Sequence, residues 1–210
     1  MRTKLNISRA TVDRLPIYFR TLIQLRQGGI EVVSSEELGR RIGVSPEQIR
    51  KDLAAFGEFG KKGVGYYVQY LIEKIAEILG LNHQWRFCIV GLGHLGGALA
   101  NYQNFVALGF KLTAIFDADP EKIGRVLNGI TVEDPVHMKD IIKEREIQIG
   151  VVSVPSSKAQ KVVDELVESG VRGIWNFAPV RISVPDHIKI VNEDLSIGFS
   201  ALSYYLSHSE

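Results

Sequence analysis

A chain of 210 residues with 45% hydrophobic content can hold one large domain or two small ones, and its single cysteine, Cys88, excludes an internal disulfide framework. No basic leader followed by an apolar stretch opens it, and no apolar run nears the roughly 20 residues that span a bilayer, so a cytoplasmic protein without a membrane segment is expected. The net charge of +1 conceals an asymmetry: residues 1–66 hold 12 Lys and Arg against 7 Asp and Glu, or +5, and the remainder carries −4. A basic head on an acidic body points to a polyanion met at one end only.

Val12, Leu15, Phe19 and Leu22 recur on one face of a helix, with Asp13 as its expected cap, Pro16 in its first turn and Gly28-Gly29 at its end. Ser34-Ser35-Glu36-Glu37 has the Ser-x-x-Glu spacing of a capping box and opens a short helix through Arg41. After Gly43-Val44, Ser45 caps a third helix with Pro46 at its first position and Gln48 at its third. Ile49, Leu53 and Phe56 form its inner side; Glu47, Lys51, Ala54 and Ala55 lie opposite, flanked by Gln48 and Arg50. The glycines and lysines of residues 59–66 predict a short hairpin. Helix, capped helix, turn, capped helix and basic hairpin is the order of a winged helix-turn-helix, whose second capped helix enters the major groove. Ser45, Gln48, Arg50, Lys51, Lys61 and Lys62 are its candidate DNA contacts, and Glu47 repels phosphate unless it accepts from cytosine.

Leu71, Ile72, Ile75 and Leu79 mark a connecting helix ended by Gly80, followed by a loop containing Trp85. The expected domains are 1–80, 81–192 and 193–210. Beyond Phe87, apolar runs at 87–90, 111–116, 147–154, 173–177 and 188–191 alternate with helical periods, which predicts an α/β fold with a doubly wound parallel sheet. The run at 87–90 enters Gly91-Leu92-Gly93-His94-Leu95-Gly96, a helical stretch follows, and Asp117 ends the next strand. Strand, GxGxxG, helix and a later acid form a dinucleotide fingerprint: the glycines let backbone approach a pyrophosphate, and Asp117 accepts from the ribose hydroxyls while repelling a 2′-phosphate. NAD(H) is therefore favoured over NADP(H). Cys88, inside a strand, reads as a small hydrophobe rather than a redox-sensing thiol.

Little chain remains beyond this fold for a substrate domain, so no catalytic residues are assigned. Tyr70 and Lys74 have the Tyr-x-x-x-Lys spacing of short-chain dehydrogenases but precede the Gly-rich loop, and that match is read as chance. The histidines form no ligand cluster, so no metal is expected.

Several stretches together resemble the redox-sensing repressor family Rex: residues 14–20, 34–39, 48–53, 59–60 with 63–66, 90–99, 116–124, 176–179 and 192–194. The resemblance covers almost the whole chain. It implies a homodimer that exchanges its C-terminal helix, which suits the apolar residues Leu195, Phe199, Leu202 and Leu206, and one site at which NADH and NAD+ compete as regulatory ligands. NADH is then expected to release operator DNA. The resemblance also implies coupling roles for Arg20, Tyr102 and Asp194, and a nicotinamide pocket lined by Phe177, Ala178 and Pro179. Two other readings stay open at this point: a small NAD-dependent oxidoreductase with an oligomerisation head, and a transcription factor sensing coenzyme A or NADPH.

Overall fold

Ser8, not Asp13, caps the first helix: its hydroxyl accepts from the Thr11 N–H at 3.2 Å, and α1 runs Arg9–Gln27. Pro16 consequently lies in the helix interior rather than its first turn. Pro16 and Val12 are both exposed, so the bond that Pro16 cannot make to the Val12 carbonyl is lost on the solvent side of α1 rather than in the core. The computed structural model describes residues 7–208, and the chain divides into two units, one ending at His83 and the other beginning at Gln84.

In the first unit α1 buries Leu15, Tyr18, Leu22 and Leu25 and packs along α4 (Val68–Leu79), which contributes Leu71 and Ile75. Full burial of such side chains stabilises by about 1.5–3 kcal/mol each. Helices α2 (Ser35–Ile42) and α3 (Pro46–Ala54) form the helix-turn-helix. Gly39 permits their close approach, because a Cβ there would stand 2.4 Å from the Val44 carbonyl oxygen. Both predicted caps form in one direction only. Ser34 accepts from Glu37 N–H and Ser45 from Gln48 N–H, but the Glu37 carboxylate is taken by Arg40 and Arg41, and the Gln48 amide by Asp52. Strands β1 (Val32–Val33), β2 (Gly60–Lys61) and β3 (Gly65–Tyr67) make an antiparallel sheet in the order β1-β3-β2, and β2 and β3 are the predicted hairpin.

The second unit is a seven-stranded sheet in the order β10-β9-β8-β4-β5-β7-β6, parallel except where β6 meets β7. Its strands are β4 (Trp85–Val90), β5 (Phe110–Phe116), β6 (Val126–Leu127), β7 (Ile130–Glu133), β8 (Ile149–Val152), β9 (Gly173–Asn176) and β10 (Lys189–Asn192). Trp85 therefore begins a strand and does not belong to a loop. The β6–β7 hairpin is not among the predicted strands. Its turn is Asn128-Gly129, both at positive φ, between Val126-Leu127 and the alternating run Ile130-Thr131-Val132-Glu133, a legible hairpin signal. Helices α5 (His94–Ala100) and α6 (Asn104–Ala107) cover one face; α7 (Met138–Glu144) and α8 (Ser156–Ser169) cover the other. Because β4 starts the sheet and the chain winds outward from it in both directions, the carboxyl ends of β4 and its neighbours flank the reversal of strand order, where doubly wound sheets hold ligands.

The last helix, α9 (Ser196–His208), buries none of its side chains within the chain; Phe199 is 77% exposed, and Leu195, Leu202 and Leu206 are exposed beside it. Among the described residues, no helix is long and apolar enough to cross a membrane.

Candidate functional site

The Gly-rich loop leaves β4 and turns into α5, and its three glycines serve three different ends. Gly91 has φ +97°, and a Cβ there would lie 2.6 Å from the Ser153 carbonyl oxygen. Gly96 lies so close to the loop's own backbone that a Cβ would approach the Gly91 carbonyl oxygen at 2.0 Å. Gly93 faces open space, with nothing within 4 Å of where its Cβ would be. Gly91 thus lets the loop pass the end of β8, Gly96 closes the turn upon itself, and Gly93 leaves a bare approach at the start of α5, where the first N–H groups lack carbonyl partners one turn earlier. Leu92 and Leu95 are half-buried and His94 is exposed.

Two side chains that sequence reasoning missed hold this loop. Ser153, just beyond β8, donates its hydroxyl to the Gly91 carbonyl at 2.8 Å. Lys122 places its ammonium 3.1 Å from Asp117 Oδ2. Asp117 itself, only 9% exposed, accepts from Leu92 N–H at 2.6 Å, from Asp119 N–H at 2.8 Å and from Lys122. Burial alone would raise its pKa, but those two N–H groups and the ammonium outweigh burial and hold the carboxyl below its ordinary range. Beside it, Ala118 borders a cleft of about 590 Å³ whose walls include Pro135, Val136, Lys158 and Val162.

Phe177, Ala178 and Pro179 follow β9 in a turn organised by Asn176, which is fully buried and donates to the carbonyls of Ala178 and Val180 and to the Asn192 side chain. The three predicted pocket residues part company here. Ala178 is buried in the core on the α7–α8 face, Pro179 is exposed, and Phe177 packs on the opposite face. Phe177 joins an aromatic chain in which ring centroids are 4.7 Å apart for Trp175 and Phe177, 5.8 Å for Phe105 and Trp175, and 4.9 Å for Tyr102 and Phe105. Tyr102 is half-exposed, and its hydroxyl accepts from Asn104 at 3.1 Å. Trp175 donates its indole N–H to Glu193 at 3.3 Å. The next residue, Asp194, accepts both the N–H and the hydroxyl of Ser196 and so caps α9. Tyr102 and Asp194 are not hydrogen-bonded to each other. Arg20 is exposed on α1 and forms no hydrogen bond or ion pair among the described residues.

In the first unit Gln48 is half-buried with its side chain on Asp52, and Arg50 donates to the Ser35 hydroxyl at 2.7 Å. Ser45 uses its hydroxyl as the α3 cap. Lys51, Lys61 and Lys62 are exposed; Lys61 lies in β2 opposite Gly65, and Lys62 starts the turn. Arg50, Lys61 and Lys62 border one open groove of about 770 Å³ between the start of α2, α3 and the hairpin.

The element that sequence reasoning missed here is Asp52. It is 1% exposed and accepts five hydrogen bonds, two from Arg14 and one each from Thr11, Tyr18 and Gln48. Burial disfavours its charge, but these donors prevail and lower the pKa to about 2. The hub ties α3 to α1. Cys88 is fully buried in β4, and burial pushes its thiol up to about 12, so it stays protonated at neutral pH. Tyr70 and Lys74 lie on α4, with Lys74 paired to Glu77 at 3.0 Å. No cluster of three or more His, Cys, Asp or Glu among the described residues is placed to hold a metal ion.

A basic winged helix-turn-helix joined to a dinucleotide-type sheet defines a ligand-responsive DNA-binding protein. Comparison with known proteins makes this more specific. A family model described as "CoA binding domain" matches residues 82–180, and one described as "Putative DNA-binding protein N-terminus" matches residues 6–54. The redox-sensing transcriptional repressor Rex of Syntrophobacter fumaroxidans is 49% identical over 96% of both chains, and that of Clostridium perfringens strain SM101 is 45% identical over 100% of this chain and 99% of its own. Among solved structures, RSP in complex with β-NAD+ and operator DNA is 39% identical, with a TM-score of 0.91 over 96% of this chain and 93% of its own. RSP in complex with β-NADH is 38% identical, with a TM-score of 0.89 over 96% and 95%. The chain belongs to the Rex family of redox-sensing transcriptional repressors.

Proposed function

We propose that this chain binds operator DNA through α3 and the β2–β3 hairpin, binds NAD+ or NADH at the loop of residues 91–96, and leaves the operator when NADH replaces NAD+. Residues 1–80 are the reader, 81–192 the sensor and 193–210 a dimerisation arm, working in the cytoplasm. The observation that carries this reading is the contrast within the Gly-rich loop: Gly91 and Gly96 are sterically committed to the fold, whereas Gly93 opens outward at the start of α5. The protein's own residues fit a dinucleotide there. Backbone N–H groups of residues 93–96 meet the pyrophosphate; Asp117, with acceptor capacity left beyond its three donors, meets the adenosine ribose; the cleft at Ala118 takes the adenine. Phe177 and its aromatic neighbours give the nicotinamide an apolar border, with Ala178 and Pro179 shaping the turn behind it.

Apolar surroundings favour the uncharged reduced ring over the cationic oxidised one, the differential binding a switch requires. The chain of Tyr102, Phe105, Trp175 and Glu193 leads from the C-terminal end of α5 to Asp194 at the base of α9 and supports a coupling role for Tyr102 and Asp194, with Arg20 as their counterpart on α1. The exposed apolar residues of α9 suit burial by a second copy of the chain, the homodimer.

The family model's description names coenzyme A, but two solved relatives hold NAD+ and NADH, and the carboxylate of Asp117 beyond the Gly-rich loop supports a ligand without a 2′-phosphate. Calorimetric titration with NADH, NAD+, NADPH and coenzyme A tests the ligand. NADH binding tightest is expected; coenzyme A or NADPH binding tighter than NADH would overturn the assignment.

A further inference from the structure

Within the reading of α3 as the DNA-reading helix, Gln48 stands apart from its basic neighbours because its side chain is already held. It occupies the third position of α3, in the first turn, the part of a recognition helix that meets base edges. Its Nε2 donates to Asp52 Oδ1 at 2.8 Å. An ionised carboxylate can only accept, so the end of the Gln48 amide facing Asp52 is the NH2 group, and the alternative flip is excluded by chemistry. Asp52 is itself fixed by Arg14, Tyr18 and Thr11, all from α1. Gln48 therefore keeps one N–H and its Oε1 for a partner outside the chain, with the amide orientation set before DNA arrives.

One donor and one acceptor on a single planar group match the major-groove edge of adenine, whose N7 accepts and whose N6 amino group donates. Guanine offers two acceptors on the same edge and would leave the Gln48 oxygen facing an acceptor. We propose that Gln48 is a specificity-determining residue that reads an adenine in each operator half-site, donating to N7 and accepting from N6, and that Asp52 orients it for this task. Pre-orientation matters because a glutamine free to flip spends ordering entropy on binding and presents either edge. Arg50 and Lys51, by comparison, carry donors only, which suit the two acceptors of guanine rather than the mixed edge of adenine.

The test uses the full chain with NAD+ and an operator selected from random duplexes. Each adenine of the selected half-site is replaced singly by 7-deazaadenine, and affinities are measured for the native chain and for Gln48→Ala, whose folded state is checked by circular dichroism and thermal unfolding. One position is expected at which the analogue weakens the native chain by roughly tenfold or more. The same analogue should leave Gln48→Ala unaffected. An equal penalty in both proteins, or no sensitive adenine, overturns the inference while leaving the repressor reading intact. A selection that returns no preferred sequence overturns both.

Discussion

Two buried aspartates, one in each half of the molecule, are kept ionised by surrounding donors, and they differ in what is left over. Asp52 accepts five hydrogen bonds and is 1% exposed; Asp117 accepts three and is 9% exposed. A carboxylate offers about four lone-pair sites. Asp52 is therefore saturated by its own chain and acts as a structural hub of the reader. Asp117 holds the Gly-rich loop through Leu92 and retains capacity for a ligand. The head spends its buried charge on rigidity, and the sensor keeps part of its own in reserve.

The largest expected effect comes from removing the saturated member. Asp52→Ala strands Arg14 and Tyr18 without their acceptor, and loss of one partner of a buried ion pair costs about 3–5 kcal/mol. Urea unfolding should show that loss in the first unit; a change below about 1 kcal/mol would mean the hub contributes little. In the sensor the loop glycines separate fold from function. Gly96→Ala forces a methyl against the Gly91 carbonyl and should destabilise by about 1–3 kcal/mol or more. Gly93→Ala meets no protein atom and should leave stability unchanged or slightly raised, yet weaken NADH binding. Equal effects of the two substitutions on thermal unfolding would contradict this division.

The pH dependence is smaller. The Asp52 carboxyl is lowered from 3.8 to about 2 in the folded chain. Its contribution is complete above about pH 4 and is lost as pH falls through 2, amounting to about 2 kcal/mol. The stability difference between the native chain and Asp52→Asn should shrink by that amount between pH 5 and pH 2. A difference that stays constant would show that Asp52 is not the group responsible.

What the sequence disclosed follows from how local each signal is. Ser34, Ser45, Pro46, Gly43 and the run Gly91 to Gly96 act on backbone within a few residues, so their spacing revealed the helix starts and the tight Gly-rich turn. Asp52 was hidden because its partners lie 34 to 41 residues away, or on its own helix one turn back, and a helical wheel records periodicity rather than pairing. Ser153 stayed invisible for the same reason, since the Val90 and Gly91 carbonyls it meets lie more than 60 residues away in the chain. Pro16 points to a first turn after Asp13, although Ser8 supplies the cap five residues earlier and the helix carries the proline in its interior. The placing of Phe177, Ala178 and Pro179 on different sides of their turn depends on Asn176, which no run of three residues announces.

The central claim is that cofactor redox state, passed through the base of α9, decides whether the reader holds DNA. Its most direct test is operator affinity measured at saturating NAD+ and at saturating NADH, for the native chain and for Asp194→Ala. The native chain should lose operator binding with NADH, and Asp194→Ala should bind NADH normally by calorimetry while its DNA affinity responds weakly. Operator affinity that is the same with either cofactor in the native chain would contradict the account.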